Sequence, residues 1–148
     1  MRLNADFDQR AVVLPGEHSW VPSPVPGVTR MMLDRVGGEV ARATSLVRYA
    51  ADSEFPGHTH GGGEEILVLE GEFADEHGSY PAGSYIRNPI GTAHTPRVGP
   101  QGATIFVKLH QFDPDDTEQK VVDTRLGEWL PGLVDGLTVM PLHEFASP

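Results

Sequence analysis

The sequence predicts an all-β, antiparallel fold built as a single domain. Glycine (17) and proline (13) make up more than a fifth of the 148 residues and are spread between short apolar runs, as in chains of many strands joined by turns. Two runs alternate with a period of two. Ala41, Ala43, Ser45, Val47 and Tyr49 share one face of a strand over 39 to 50, and Ala103, Ile105, Val107 and Leu109 share one face of another that runs to Phe112. A chain of this length buries one core and is short for two.

In chain order, three parts are expected: an N-terminal arm (1–27), a β core (28–112) and a C-terminal extension (113–148). The arm holds Val12-Val13-Leu14 and then Trp20-Val-Pro-Ser-Pro-Val-Pro-Gly27, whose alternating prolines lack N–H donors and cannot sit inside a sheet. It is expected to lie extended along an edge. The core opens with a strand over 28 to 36, a Gly37-Gly38 turn and the strand over 39 to 50, which together read as a hairpin. Arg42 and Arg48 fall on the second strand's other face and read as solvated.

Next comes Pro56-Gly-His-Thr-His-Gly-Gly-Gly-Glu-Glu-Ile-Leu-Val-Leu-Glu-Gly71. A lone histidine in a strand is an ordinary polar residue at a rim, but His58 and His60 share a face, as a metal site needs. The three glycines are read as a loose hairpin turn that returns Glu64 opposite His60, on the side of Ile66 and Val68. A carboxylate on an apolar face requires a partner. Parity turns Glu65 the other way.

Beyond it, His77 sits in a turn signal, Glu76-His77-Gly78, and is left out of the metal set. After the Asn88-Pro89-Ile90-Gly91 turn, His94 opens a strand and is the natural fourth ligand beside His58, His60 and Glu64. His110 reads as the polar side of its strand. The acidic residues from Asp113 to Glu118 read as a solvated loop.

The tail repeats the start. Trp20 to Leu33 aligns without gaps to Trp129 to Leu142, with Trp, Pro, Val, Gly, Thr, Met and Leu matching in register. The repeat predicts an edge strand over 137 to 143, at a homodimer interface.

Composition excludes several functions. The formal charge of −10 with pI near 5.0, and no basic block, argue against a nucleic-acid partner. The absence of cysteine rules out disulfides, thiolate nucleophiles and iron–sulfur clusters, so any metal is held by His, Asp or Glu. With no long apolar stretch and no apolar leader, no membrane partner and a cytoplasmic location are expected.

The motifs resemble those of single-domain cupins, and most closely the cupin domain of ChrR-type anti-sigma factors. His58-x-His60, Glu64 and Gly71 follow the spacing of the first cupin motif; Gly83, Pro89-x-Gly91 and His94 follow that of the second. Asp52 stands where the first motif has glycine, and Val98 where the second has asparagine. The likeness runs from about residue 20 to about residue 112 and implies a jelly-roll β-barrel. ChrR-type regulators also carry a zinc-binding helical domain that grips the sigma factor; this sequence has no such domain, so the anti-sigma role is not expected to transfer.

Three imidazoles and one carboxylate suit one divalent transition metal, Zn²⁺ or Fe²⁺, with Ni²⁺, Mn²⁺ and Cu²⁺ also compatible. Two uses follow from the resemblance, beside a purely structural metal site. One is an Fe²⁺-dependent dioxygenase acting on a small oxygen-chelating substrate such as a diketone or an acyl phenol. The other is a non-catalytic, zinc-binding sensory cupin that recognises a small molecule. His77, His110, Tyr49 and Tyr85 are acid–base candidates by residue type alone.

Overall fold

The alternation over 39–50 becomes strand β4 (Ala41–Tyr49), with Ala41, Ala43, Ser45 and Val47 buried. β3 (Val28–Gly37) pairs with it antiparallel, from Val28 opposite Tyr49 to Gly37 opposite Ala41, with one bulge between Met32 and Asp34. The structure, a computed structural model, describes residues 1–146.

Two long strands carry the rest of the sheet. β10 (Arg97–Leu109) pairs with β4 and with β6 (Glu64–Asp75), and its register shift between Val98 and Ala103 bends the pair. The first half of β6 pairs with β8 (Ser84–Asn88) and its second half with β7 (Gly78–Pro81), so one strand serves two sets of neighbours. β11 (Lys120–Asp123) pairs with β8 at the far edge. On the near edge β1 (Arg2–Leu3) and β2 (Val21–Pro22) pair with β3. Two ribbons stand apart from this sheet: β5 (His58–Thr59) with β9 (Ala93–His94), and β12 (Leu130–Pro131) with β13 (Thr138–Val139).

Every pairing is antiparallel and the described residues contain no helix, so the all-β expectation holds, with the strand arrangement of a jelly roll. Among the described residues no helix is long and apolar enough to cross a membrane. Ile66, Val68, Phe73 and Ile105 are the largest fully buried side chains, and Val47, Ile86, Val98 and Val107 pack with them. Each such side chain stabilises the fold by roughly 1.5–3 kcal/mol relative to exposure.

Four expectations are corrected. The central stretch is not a hairpin: β5 pairs with β9 and β6 pairs with β8 and β10, so the glycines carry the chain from one ribbon to the main sheet. Arg42 and Arg48 are not simply solvated, since each lies over an aromatic ring of the arm, Arg42 3.9 Å from the centre of Phe7 and Arg48 3.8 Å from that of Trp20. Within the expected 137–143 strand, strand structure is confined to Thr138–Val139, which pairs with Leu130–Pro131 rather than with the main sheet.

The acidic segment is also more than solvation. Asp116 is buried, with Oδ2 2.6 Å from Arg87 and 2.8 Å from His143 Nε2. Arg87 in turn bonds Glu65 at 2.9 Å and lies against the Phe112 ring. These groups staple the C-terminal extension to the outer face of β6 and β8.

Candidate metal centre

His58, His60, Glu64 and His94 reach one point on separate pieces of backbone. His58 and His94 face each other across the β5–β9 pair. His60 follows β5 and is held by its own N–H to the Thr92 carbonyl (2.8 Å) and by the Gly91 N–H to its carbonyl (2.9 Å). Glu64 opens β6, opposite Asn88 on β8. One donor atom from each lies within 4.8 Å of all the others; His60, Glu64 and His94 are buried, while His58 is exposed.

The glycines between His60 and Glu64 are required by packing as well as by turning. A Cβ on Gly62 would run into the His110 ring and one on Gly63 into the Phe112 ring, and Gly63 has φ +76°. His110 leaves β10 at φ +56° and donates its N–H to the Gly63 carbonyl at 3.1 Å. Asp52, where the first cupin motif has glycine, adopts φ +57°; the left-handed conformation persists on a residue that tolerates it.

The three rings are oriented from behind. His58 Nδ1 is 3.3 Å from the Pro56 carbonyl, His60 Nδ1 is 2.9 Å from Thr92 Oγ1, and His94 Nδ1 is 3.1 Å from Asp75 Oδ2. The Thr92 hydroxyl donates to the Pro89 carbonyl at 2.7 Å, so its lone pair is free to accept. Each ring therefore assigns its proton to Nδ1 and turns the lone pair on Nε2 toward the centre.

Those lone pairs converge on one another. His58 Nε2 and His94 Nε2 are 3.2 Å apart, and buried His60 Nε2 lies 2.9 Å from Glu64 Oε2 without the alignment of a hydrogen bond. Converging lone pairs beside a carboxylate repel one another, and one cation satisfies all four. The residues thus fit a divalent transition metal.

Protonation favours the same outcome. Burial alone would raise the Glu64 carboxyl, but positive charge shared with His60 and His94, and the Asn88 amide, outweigh it and hold the group below the usual carboxylate range; a bound cation would supply that charge in place of a proton. Asn88 Nδ2 donates to Glu64 Oε2 at 3.0 Å, and its Oδ1 accepts from Gln119 at 3.3 Å. Burial is the main cause that pushes His58 down. A carboxylate and a neutral imidazole are the forms that ligate.

Asp75, Asn88 and Thr92 were not singled out in the sequence. Asn88 was accessible by strand parity, two residues from inward-facing Ile86. Nothing distinguished Asp75 from Glu76. Glu65 is placed on the outer face, its Oε1 accepting from Tyr85 Oη at 2.6 Å. Of the acid–base candidates, Tyr85 lies with Glu65 and Arg87, His77 is exposed beside Glu76, and His110 packs on the glycine loop.

Only Tyr49 among those four lines a cavity that ends on His58. The cavity, of about 330 Å³, is walled by Val25 and Val28 from the arm and core edge, Tyr49, Phe55 and Pro96. Burial and the Glu64 charge raise Tyr49 well above the ordinary phenol range, so its hydroxyl stays protonated.

Comparison with known proteins agrees with this architecture. The model of the family described as ChrR Cupin-like domain matches residues 8–113. An RmlC-like cupin protein from Ralstonia eutropha has a similar structure, with a TM-score of 0.61 and 18% identity over 79% of this chain and 81% of that one. A chain of the Rhodobacter sphaeroides complex of SigE with the anti-sigma ChrR gives a TM-score of 0.53 and 26% identity over 65% of this chain and 51% of that one, so the present chain spans about half its length. An acetylacetone dioxygenase from Acinetobacter johnsonii gives a TM-score of 0.57 and 20% identity over 79% and 87%. At 18% and 20% identity the likeness concerns the fold alone. No curated protein matches the sequence.

Proposed function

Because the chain belongs to the ChrR cupin-like family, we propose that it is a metal-dependent cupin whose ion, held by His58, His60, Glu64 and His94, acts on a small oxygen-chelating molecule, as an Fe²⁺-dependent dioxygenase does on a diketone or an acyl phenol. The observation that carries this reading is an apolar cavity ending on the exposed histidine of a cluster whose other members are buried. A closed structural site has no need of such an approach.

Bound there, a ferrous ion would supply Lewis acidity and a redox-active centre through which electrons pass from the substrate to O₂. The chain's own contribution is orientation and exclusion of water. Asp75, Thr92 and the Pro56 carbonyl fix the three rings, and Val25, Val28, Phe55 and Pro96 give a substrate's apolar part a dry wall. Tyr49 offers the wall a protonated hydroxyl that can donate a hydrogen bond to a substrate oxygen. A net charge of −10 suits a protein with a small-molecule ligand and without a nucleic-acid partner.

Elemental analysis of the purified protein comes first. Anaerobic loading with Fe²⁺ followed by O₂-uptake measurements over a panel of diketones and acyl phenols then tests the activity. Uptake with product formation supports the dioxygenase; stoichiometric Zn²⁺ with no uptake after iron loading rejects it. The second reading, a zinc-binding sensory cupin, is favoured by the 26% identity to the ChrR complex chain. It requires ligand binding without turnover.

A further inference from the structure

The repeat in the sequence is a repeat in the structure. In the arm, Val21 pairs with Arg30 and Pro22 with Thr29; 109 positions on, Leu130 pairs with Val139 and Pro131 with Thr138. The turns also correspond. Ser23 N–H bonds the Val28 carbonyl at 2.9 Å and Gly132 N–H the Leu137 carbonyl at 2.7 Å, while Gly27 and Gly136 have φ of +79° and +84°. One hairpin has been built twice.

The first copy shows what completes such a hairpin. Its second strand continues as β3 and takes an antiparallel strand, β4, on its other edge, and Trp20 is half-buried beneath Arg48 of that strand. The second copy has no such strand among the described residues: β13 pairs with β12 alone. Its apolar side chains are open, with Trp129 61% exposed, Leu133 100%, Val134 66% and Leu137 46%. Opposed residues share a face, so Leu130, Val139 and Leu137 form one apolar surface. Arg30, which bonds Glu39 in the first copy, is replaced by Val139 in the second. The second copy is therefore the more apolar, and its edge is unpaired.

We propose that the 129–142 hairpin is a self-association surface whose occupant is the same hairpin of a second copy of this chain, the two β13 strands pairing antiparallel about a two-fold axis. A two-fold pairing gives each free edge the strand it lacks and closes at two copies. It also joins the two Leu130, Leu137 and Val139 faces into one continuous apolar surface across the axis. The antiparallel arrangement sends the two Asp135 turn tips to opposite ends, which keeps the like charges apart. The metal centre is not required for this association.

Because the chain contains no cysteine, single-cysteine reporters are clean. Cysteine placed in turn at 137, 138, 139 and 140 is expected to give a disulfide-linked dimer on mild oxidation at one or two of these positions, whereas Val40→Cys, at the exposed β3–β4 turn, is expected to stay unlinked. Sedimentation over a concentration series is expected to show a wild-type dimer and a monomeric Leu137→Lys/Val139→Lys variant, with unchanged metal content and circular dichroism. A wild-type monomer at every concentration overturns the proposal, as does a variant that remains a dimer, or linking no faster at 137–140 than at 40. If the lysine variant fails to fold, the cysteine series alone decides.

Discussion

His94 Nδ1 lies 3.1 Å from Asp75 Oδ2, with both residues buried, so a carboxylate inside the protein sets the ring that completes the cluster. Asp75 is itself pinned, accepting at Oδ1 from Tyr80 Oη (3.2 Å) and from the His77 N–H (2.8 Å). Burial and the Asp75 charge raise the Tyr80 phenol to about 12, so it remains a donor. Removing a carboxylate of this kind usually weakens metal binding by roughly 10–100-fold. Asp75→Ala is expected to show that loss in competition against a chromophoric chelator, and Tyr80→Phe a smaller one. Wild-type affinity in Asp75→Ala would mean that His94 is oriented by packing alone.

Metal and stability are linked through the same four residues. A ligand that binds only the folded state stabilises it by about 4 kcal/mol when its free concentration is 1,000 times Kd. Chelation is therefore expected to lower Tm, and added Zn²⁺ or Fe²⁺ to restore it. In His94→Ala and Glu64→Gln, Tm is expected to stop responding to metal. A response of wild-type size in either variant would remove that residue from the ligand set.

The four clustered residues were legible in the sequence because strand periodicity and turn residues are local signals: His58 and His60 two apart, Glu64 after three glycines, His94 after Pro89-x-Gly91. The pairing was not legible. Parity aligned Glu64 with Ile66 correctly, but which strand lies opposite depends on β8 and β9, with Asn88 24 residues beyond Glu64 and His94 36 residues beyond His58. The same gap hid Asp116, which looks like any acid in an acidic loop until Arg87 and His143 come to it from distant segments. Long-range electrostatic pairing leaves no local pattern to read.

The glycine loop is expected to be intolerant of a single methyl group. Gly63→Ala meets both a left-handed backbone and the Phe112 ring, costs that together amount to at least about 2 kcal/mol. Urea unfolding of the metal-free protein would measure it. Gly61→Ala, whose Cβ would be in ordinary contact with His110, is expected to cost much less. Equal midpoints for the two variants would contradict the packing argument.

Acid stability is expected to depend on Asp116. Its burial alone would raise the carboxyl, yet His143, the Glu118 N–H and Arg87 outweigh this and hold it below the ordinary range. A carboxyl depressed in the folded state contributes its full stabilisation above the unfolded-state value, about 4, and loses it as pH falls through the folded value. The Tm difference between wild type and Asp116→Asn is therefore expected to be constant near neutral pH and to shrink below about pH 4. Arg87→Met, which strands Glu65 and Asp116 together, is expected to cost roughly 3–5 kcal/mol at neutral pH. A wild-type advantage over Asp116→Asn that persists undiminished to pH 2 would show that the buried carboxylate is not the acid-labile element.

The last expectation separates the cavity from the metal. Val25 stands on the wall of the space that ends on His58 but is not one of the clustered residues. Val25→Trp adds bulk to a cavity of about 330 Å³ without touching the rings. Small ligands are therefore expected to bind more weakly while metal stoichiometry and affinity stay at wild-type values. For an oxygenase this appears as a raised KM that grows with substrate size, and for a sensor as a raised Kd. Val28→Ala, which enlarges the same wall, is expected to shift the preference toward larger ligands. If both variants leave every ligand unchanged, the cavity is not the approach to the metal, and the exposed side of His58 serves something other than a small molecule.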